Sequence, residues 1–371
     1  MILYILVVAV LFYSIVQIGL WIGLLRCRYS KQNEQPFASI IVAARNEEAH
    51  IPQLLNCLLS QTYPQYEIII ANDRSTDRTG EILAQYAQTN PSLKVITITS
   101  VPSDMPPKKN ALTQAIREAR GEILCFTDAD CLPPPAWIQE LVAAFDPTIG
   151  LVAGYSPYLY SHNQKKLKLL HYFIAYEEFR AALFSAGSIG WNKGWLCTGR
   201  NLAYRKKVFE EVGGYEKIKH SISGDDDLFL QLVRRTTKWQ IRYVFSKNNH
   251  VPTYPPSSFR QFVEQRKRHF SAAKYFPISM KLFFAMYHGS NLFIILFFIV
   301  SFLMPGAIFF SLLSLLIKFC SDYILIQNGA IVLEERQFVP WFIPMELLYL
   351  LYNVCIGPLG LLFKFSWKSE K

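Results

Sequence analysis

The first 25 residues carry no charged side chain, and their only clearly polar side chains are Ser14 and Gln17. An apolar stretch of roughly 20 residues is long enough to cross a bilayer as a helix. A cleaved signal peptide typically has a basic start and a shorter apolar core, and this stretch has neither. We therefore predict a retained transmembrane helix at residues 1–25. Arg26 and Arg28 follow it, which predicts that this end faces the cytoplasm.

Three further apolar stretches, in the last quarter of the chain, are each close to spanning length. They lie at residues 282–304, 305–326 and 341–363. Lys318 and Asp322 interrupt the second, and Gly357 and Pro358 break the third. If all three crossed the bilayer, the basic tail would lie outside, against the positive-inside rule. Each stretch is therefore predicted to be transmembrane or interfacial, with the number and orientation of spans left open.

Composition narrows the possible partners. The chain is 51% hydrophobic, which is too apolar for an ordinary soluble enzyme, and its net charge is +10. A basic chain can bind nucleic acid, an anionic membrane surface or a phosphate-bearing substrate. No nucleic-acid module is recognisable, so we expect no nucleic-acid partner. The seven cysteines are scattered without metal-ligand spacing, which is typical of reduced residues in a cytosolic domain.

Short apolar runs alternate with helical patterns between residues 38 and 127. The predicted strands are 38–44, 66–71, 93–99 and 123–127. This alternation predicts right-handed crossovers and a mostly parallel, Rossmann-like sheet covered by helices on both faces. The fold class is therefore α/β, with α-helical transmembrane segments added. Neither a Gly-x-Gly-x-x-Gly fingerprint nor a Walker loop is present, so neither type of phosphate loop is indicated.

Two carboxylates, Asp128 and Asp130, end the fourth predicted strand, and three prolines from Pro133 onward prevent the strand from continuing. Ligands of open parallel sheets bind beyond the carboxyl ends of the strands. Two carboxylates delivered there can hold a divalent cation, and the cation can hold a diphosphate. An acidic turn after a core strand is the alternative interpretation.

The second half of the sequence is dominated by helices and loops. A long helical pattern runs from Lys165 to Gly190, and it fits either a membrane-surface helix or a core helix with a solvated basic end. Asp225, Asp226 and Asp227 open another helix, where carboxylates also serve as ordinary helix caps. A helix at 258–273 carries a basic cluster around Arg268, which an interfacial anchor would also explain.

Several of these stretches, taken in order, resemble membrane-bound glycosyltransferases of family 2, inverting enzymes with the GT-A fold. The matching segments are Ile40–Glu48, Asn72–Asp77, Lys109–Leu112, Asp128–Asp130, Gly224–Leu228 and Gln265–His269. The resemblance covers roughly residues 38–275. It implies a nucleotide-diphosphate sugar donor, most often a UDP-sugar, together with Mg²⁺ or Mn²⁺.

The resemblance also implies roles for individual residues. Those lining the base and ribose of the donor would be Ala43, Arg45, Glu47 and Asp73. Lys109 would flank the nucleotide, Asp128 would touch the ribose or the metal, and Asp130 would bind the metal. Asp225 falls on the general base, with Asp226 as the near alternative.

The resemblance further implies that Gln265 and Arg268 brace the diphosphate. The chemistry agrees with that role, since residues three apart share one helix face and the arginine fork matches phosphate. Two positions depart from the family pattern. Gly224 replaces the usual acidic residue before the base, which leaves the base assignment open between the two aspartates. His269 replaces a tryptophan associated with polymer synthases.

We therefore expect an integral, multi-pass membrane glycosyltransferase whose catalytic domain faces the cytoplasm and whose acceptor is a lipid or glycan at the bilayer. The alternatives are a short processive polysaccharide synthase and a non-catalytic protein that binds sugar nucleotides. The predicted domains are a transmembrane helix at 1–25, a basic and polar linker at 26–37, a nucleotide-sugar-binding half at 38–150, an acceptor and catalytic half with interface helices at 151–276, transmembrane or interfacial helices at 282–363 and a basic tail at 364–371.

Overall fold

A computed structural model of the chain describes residues 1–159 and 168–356. The predicted basic start of the long helix at 165–167, the break at Gly357 and the tail at 364–371 lie outside these residues. The strands, in chain order, are β1 (Ala38–Ala44), β2 (Tyr66–Asp73), β3 (Leu93–Ile98), β4 (Ile123–Phe126), β5 (Ile149–Gly154), β6 (Leu202–Arg205) and β7 (Gln240–Val244). The α-helices are α1 (Ile2–Arg26), α2 (Ile51–Leu59), α3 (Thr79–Thr89), α4 (Pro107–Glu118), α5 (Trp137–Val142), α6 (Lys168–Gly190), α7 (Lys206–Val212), α8 (Asp227–Thr236), α9 (Phe259–Ser271), α10 (Ile278–Ser301), α11 (Ala307–Val332) and α12 (Phe342–Cys355).

The chain divides into two compact units. One, the sheet unit, contains residues 27–159 and 189–255 of the described chain. The other, the helical unit, contains α1, α6 as far as Ser188 and the chain from Pro256 onward. The sequence analysis places α6 and α9 in the acceptor half of the catalytic domain, whereas the structure groups both with the apolar helices. The reason is packing: α6 buries aromatic and charged side chains against other helices of that unit.

The sheet unit is built on a seven-stranded sheet with the order β3-β2-β1-β4-β6-β5-β7. The four predicted strands form its parallel half, where β1 pairs with β2 and β4, and β2 pairs with β3. β1 and β4 are buried on both faces, as crossover helices on each side of a sheet require, whereas the edge strand β3 is buried only at Leu93 and Ile98.

The other half of the sheet is mixed. The short strand β6 runs antiparallel to both of its neighbours, β4 and β5, and β7 then pairs parallel with β5. The sheet is therefore mostly but not wholly parallel. Its order reverses between β1 and β4, which makes the crevice beyond their carboxyl ends the expected ligand position in an open α/β sheet.

The helical unit contains four helices that are long and apolar enough to span a membrane. They are Ile2–Arg26, Ile278–Ser301, Ala307–Val332 and Arg336–Cys355, the last including a 3₁₀ turn before α12. α1 packs on α10 and α11 through an apolar cluster that includes Leu6, Val10 and Phe297. The predicted spanning helix at 1–25 and the apolar stretches at 282–304 and 305–326 therefore coincide largely with long helices, and the stretch at 341–363 is helical within its described part as far as Cys355.

α1 and α6 cross with almost no side chain between them. A Cβ atom added to Gly23 would lie 2.0 Å from the carbonyl oxygen of Gly187. Since real Cβ atoms do not approach backbone so closely, both positions need glycine at this crossing. Small residues that let two backbones meet are a recurring device of helix packing in membranes.

Candidate functional site

The loops that follow β1 and β2 are joined to each other at the carboxyl edge of the sheet. Asn46 and Arg74 both have a left-handed backbone, each with φ of 53°, which is uncommon outside glycine. The side chain of Asn46 accepts a hydrogen bond from the backbone N–H of Thr76 at 2.8 Å, and the backbone N–H of Asn46 donates to Ser75 Oγ at 3.0 Å. Strained backbone held in place by such bonds is typical of ligand-binding loops.

The predicted base- and ribose-binding residues lie in these two loops or at the strand ends before them. Ala43 is half-buried at the end of β1, and Oε2 of Glu47 lies 3.0 Å from Nδ1 of His50. Asp73 is buried and accepts two hydrogen bonds from Arg74, one of them at 2.8 Å from Nε to Oδ1.

Arg45 is different. Its Nε is buried and has no hydrogen-bond partner anywhere in the described chain. A buried donor without a partner is costly, so a bound ligand that accepts from Arg45 would satisfy it.

The centre of the site is Lys108, which the sequence analysis did not single out. Its Nζ lies 2.9 Å from Oδ1 of Asp128 and 2.9 Å from Oδ2 of Asp225. One ammonium group thus joins the carboxylate after β4 to the carboxylate before α8. A small cavity lies beside these three residues, with Gly199 and the ring of Phe126 in its wall. The structure therefore brings Asp128 and Asp225, 97 residues apart in the chain, to one place.

Lys109, the predicted nucleotide-flanking residue, lies elsewhere. It is fully buried, and its Nζ donates hydrogen bonds to the backbone carbonyls of Ser221 and Ser223, the latter at 2.9 Å. Adjacent residues of a helix point about 100° apart, so only one of the two lysines of α4 can face the carboxylates. Lys109 braces the loop that leads to Asp225, and its contact with the nucleotide stays a prediction.

The sequence contained the signal for Lys108. The family's Lys-x-x-Ala-Leu pattern requires the lysine three residues before the alanine, and the alanine here is Ala111. Counting back gives Lys108. The match at Lys109 was therefore displaced by one residue.

The acidic run before α8 separates into different roles. Both carboxylate oxygens of Asp226 accept backbone N–H bonds, Oδ1 from Asp227 at 2.7 Å and Oδ2 from Gly199 at 3.0 Å. Asp227 accepts from the backbone N–H of Cys197 at 2.7 Å. Asp226 and Asp227 thus fix the loop and begin the helix, while Asp225 faces Lys108 and the cavity.

Gly224 has φ of +83°, a left-handed conformation that glycine adopts without strain. This explains why an acidic residue is absent at this position. The turn at Gly224 aims Asp225 at Lys108, and a side chain here would also press on Leu228, because an added Cβ would lie 2.6 Å from its Cγ.

Electrostatics distinguish the two candidate bases. Burial alone would raise the pKa of Asp225, but the charge and hydrogen bond of Lys108, together with Lys109 and a backbone hydrogen bond, hold that pKa below its ordinary value. Burial, together with repulsion from Asp225, raises the pKa of Asp226. The higher pKa would favour Asp226 as a base, yet both of its oxygens are held by main-chain donors. Asp225, which faces Lys108 and the cavity, stays the predicted base, with Asp226 as the alternative.

Opposing effects also act on the pKa of Lys108. Burial would lower its pKa, but Asp128, Asp225 and Asp226 together raise that pKa well above its ordinary value. Burial dominates at Lys109 and lowers its pKa to about 8. Lys108 is therefore a permanent cation at the site, whereas Lys109 is near its titration point in mildly alkaline solution.

Asp128 and Asp130 are the residues predicted to bind the metal, and protein groups in the described chain do not by themselves form a complete metal site there. Asp130 lies next to Cys131, whose Sγ is 3.7 Å from Oδ1. Within residues 1–159 and 168–356, no three acidic, histidine or cysteine side chains form a metal-ion cluster. Magnesium sites, however, commonly use one or two carboxylates and complete the shell with substrate phosphates and water. Asp128 and Asp130, one residue apart after β4, would supply the carboxylates of such a shared site, and their metal roles stay predictions.

Gln265 and Arg268 belong to the helical unit. They lie one turn apart on α9 and are both partly exposed. Their predicted contact with the donor diphosphate therefore stays a prediction.

Comparison with known proteins bears on the sheet unit first. Residues 39–213 match the sequence profile of the family described as "Glycosyl transferase family 2". The Bacillus subtilis protein named "Probable glycosyltransferase YdaM" is 32% identical over 188 residues, which are 49% of this chain and 44% of that protein. The "Beta-monoglucosyldiacylglycerol synthase" of Nostoc sp. is 30% identical over 223 residues, which are 58% of this chain and 44% of that protein. The chain thus spans less than half the length of these two curated relatives.

A solved structure extends the likeness to the fold. The mannosyltransferase PcManGT from Pyrobaculum calidifontis, in complex with GDP-Man and Mn²⁺, aligns with a TM-score of 0.55 at 18% identity, covering 95% of this chain and 99% of that chain. At that identity the likeness shows the fold alone. The predicted GT-A-like architecture and the predicted resemblance are both confirmed. Residues 39–213 therefore match a family 2 glycosyltransferase domain, and the chain has a GT-A-like fold.

Proposed function

We propose that the protein is an inverting glycosyltransferase that moves one sugar from a nucleotide-diphosphate sugar, a UDP-sugar by family habit, to a lipid acceptor in the membrane. The observation that carries the proposal is the meeting of Asp128, Asp225 and Lys108 at the carboxyl edge of β1 and β4. A carboxylate pair with a cation between them suits a diphosphate and an attacking hydroxyl at the same place. The four apolar helices support an acceptor that enters from the bilayer.

The proposed chemistry is a single displacement. The acceptor hydroxyl attacks the anomeric carbon, the bond from that carbon to the diphosphate oxygen breaks, and Asp225 accepts the hydroxyl proton. Asp225 is ionised at neutral pH because Lys108 keeps its pKa low, so it can accept a proton. One displacement without a covalent sugar–enzyme intermediate inverts the anomeric configuration.

The leaving group is a nucleoside diphosphate, on which negative charge increases during transfer. Lys108 is placed to oppose that charge, and Gln265 and Arg268 would add donors to the diphosphate. Mg²⁺ or Mn²⁺ held by Asp128 and Asp130 would supply further neutralisation of the diphosphate. Arg45, with its buried and unpartnered Nε, would bond the nucleoside end of the donor, beside Ala43, Glu47 and Asp73.

The relatives support the donor and acceptor classes. One relative is named a synthase of monoglucosyldiacylglycerol, which is a glycolipid, and the solved mannosyltransferase is in complex with GDP-Man and Mn²⁺. The basic residues after α1 support a catalytic domain on the cytoplasmic side of a multi-pass membrane protein.

The test is a donor screen on membranes that contain the full-length protein. Radiolabelled UDP-glucose, UDP-galactose, UDP-N-acetylglucosamine and GDP-mannose are each supplied with Mn²⁺, Mg²⁺ or excess EDTA, and the lipids are then extracted. We expect one donor to yield a discrete organic-soluble glycolipid, and EDTA to abolish it. Membranes carrying Asp225→Asn are the matched control.

Other outcomes would overturn the proposal. A high-mass labelled polymer would establish the polysaccharide synthase alternative. Binding of UDP without transfer or hydrolysis of any donor would establish the non-catalytic alternative.

A further inference from the structure

The helical unit contains a line of buried charged side chains that sequence analysis reads only as interruptions of apolar stretches. Near the middle of α11, Nζ of Lys318 lies 2.6 Å from Oδ2 of Asp322. Asp322 also lies 3.8 Å from Nη2 of Arg180 on α6, and Nε of Arg180 lies 3.5 Å from Oε1 of Glu346 on α12. All four side chains are almost completely buried, and their charges alternate in sign. We call this set the ionic ladder.

A second set of buried charges lies where α9 meets α6 and α12. Arg266 of α9 is 4% exposed, and its Nη2 lies 2.5 Å from Oε2 of Glu177 and 3.3 Å from Oε2 of Glu178. Tyr352 of α12 donates a hydrogen bond to the other oxygen of Glu177 at 3.0 Å. Arg266 also lies over the ring of Phe262 at 5.3 Å, so its guanidinium is enclosed on several sides. We call these residues the α9 clamp.

The clamp and the ladder share two helices. Glu177 and Arg180 are three residues apart on α6, and Arg180 lies over the ring of Tyr349 at 5.1 Å. That ring stacks on Tyr352 of the clamp at 5.9 Å. The ladder therefore fixes α6 and α12 with respect to each other, and the clamp attaches α9 to both.

Buried ion pairs of this kind contribute little net stability, because each charge has lost its hydration. They strongly penalise any arrangement that leaves one charge without its partner. A rotation of α9 by one residue would carry Arg266 away from Glu177 and Glu178 and break both of these buried ion pairs. The clamp thus selects one rotational setting of α9.

That setting determines where the rest of α9 points. Adjacent residues of a helix are about 100° apart, so Gln265 and Arg268 share a face that differs from the face of Arg266. We propose that Arg266 is a positioning residue, which holds α9 through Glu177 and Glu178 so that Gln265 and Arg268 are oriented for the donor diphosphate. This inference rests on the proposed function, and it assigns to Arg266 no contact with substrate.

The test compares Arg266→Met with Lys267→Met in the full-length protein in lipid nanodiscs. Lys267 is a matched control because it is the next residue of the same helix and pairs with Glu264 of that helix at 2.7 Å. The donor used is the one that the screen above finds active. The measurements are hydrogen exchange of the α9 amides, and kcat and donor KM for each variant.

We expect Arg266→Met to raise donor KM about 10-fold or more, since small misplacements of binding groups can cost up to about 100-fold. Exchange of the α9 amides should accelerate while exchange in α10 and α11 stays unchanged. Arg266→Lys should recover part of the loss because it keeps the charge without the fork. Lys267→Met should match the unmodified protein in both measurements.

If Arg266→Met is poorly folded, Glu178→Gln serves as a milder variant that removes the negative charge from the 3.3 Å ion pair, and a smaller change in the same direction is expected. The positioning role is overturned if Arg266→Met or Glu178→Gln lowers only the yield of folded protein, with donor KM and α9 exchange unchanged. Failure of the unmodified protein to transfer from any donor would instead contradict the proposed function, and α9 exchange would still report on the clamp.

Discussion

Lys108 and Lys318 each neutralise a buried aspartate, but their surroundings differ. The side chain of Lys108 is 25% exposed and borders a cavity in the sheet unit, whereas the side chain of Lys318 is 3% exposed among helices. A partly open cluster can exchange one ionic partner for a ligand, and a closed cluster cannot do so without leaving a buried charge unpaired. The comparison teaches that access, rather than charge content, separates a candidate reaction site from a structural one.

The largest effect is expected from a substitution of Asp225, which disrupts the partly open cluster around Lys108. Asp225→Asn removes the group that accepts the acceptor proton and should lower kcat by about 10²- to 10⁴-fold, the usual contribution of a general base. Binding of UDP should be nearly unchanged, because the substitution keeps the shape of the side chain.

Asp226→Asn is the matched variant, since an amide oxygen can still accept one of the two main-chain bonds. It should reduce thermal stability more than turnover. Steady-state transfer and UDP titration of both variants check the assignment. Loss of turnover in Asp226→Asn with retained turnover in Asp225→Asn would move the base to Asp226.

The second prediction concerns the closed cluster. Asp322→Asn leaves Lys318 as a buried charge without its nearest partner, which typically costs about 3–5 kcal/mol in the free energy of unfolding. The double variant Lys318→Met with Asp322→Leu removes both charges and should be much closer to the unmodified protein. Denaturant unfolding in micelles measures the difference. Equal stability of the two variants would show that the ion pair does not carry this cost.

Sequence alone predicted much of the sheet unit and little of these clusters. The strands β1, β2 and β4 contain buried apolar runs, as burial on both faces requires, whereas the edge strand β3 mixes apolar and polar residues. β6 has only four residues and lies between Asn201 and a lysine-rich helix, so no apolar run reveals it. Which of Lys108 and Lys109 faces the carboxylates depends on how α4 is rotated about its axis. Composition does not determine that rotation, whereas counting the motif residue by residue does.

The charge pairs of the helical unit could not be predicted from the sequence for a different reason. Arg180 lies far from Asp322 and Glu346 in the chain, and the charges of these three helices appear in the sequence only as interruptions of apolar patterns. Their pairing depends on which helices become neighbours, which hydropathy does not determine. The Gly23–Gly187 crossing is hidden for the same reason, because neither glycine has a distinctive sequence context.

The smallest predicted effect is a difference in the pH dependence of stability between variants of the adjacent residues Lys108 and Lys109. The pKa of Lys109 falls from 10.5 to about 8 in the folded chain, so between those values the unfolded chain binds more protons. Stability therefore rises with pH in this window, by at most about 3 kcal/mol for a shift of that size. Lys109→Met should remove this rise from the urea midpoint of the sheet unit.

The pKa of Lys108 shifts in the opposite direction from that of Lys109. Its pKa is raised, so its contribution is fully present below 10.5 and is lost only as pH increases through the higher folded value. Lys108→Met should therefore keep a rise with pH between 8 and 10, reduced because the Lys108 charge helps to lower the pKa of Lys109. A rise that persists in Lys109→Met would mean that Lys109 is not the residue responsible.

The bonds of α1 have a consequence for synthesis and membrane insertion. Tyr13 and Gln17 donate hydrogen bonds to Asp322, at sequence separations of 309 and 305 residues. A ribosome therefore releases α1 long before the carboxylate that satisfies its polar groups exists. Until α11 inserts, those groups must be covered by lipid headgroups, water or a chaperone of membrane assembly. A chain truncated before residue 322 would expose this unmet polarity, which gives cellular quality control a direct signal that assembly is incomplete.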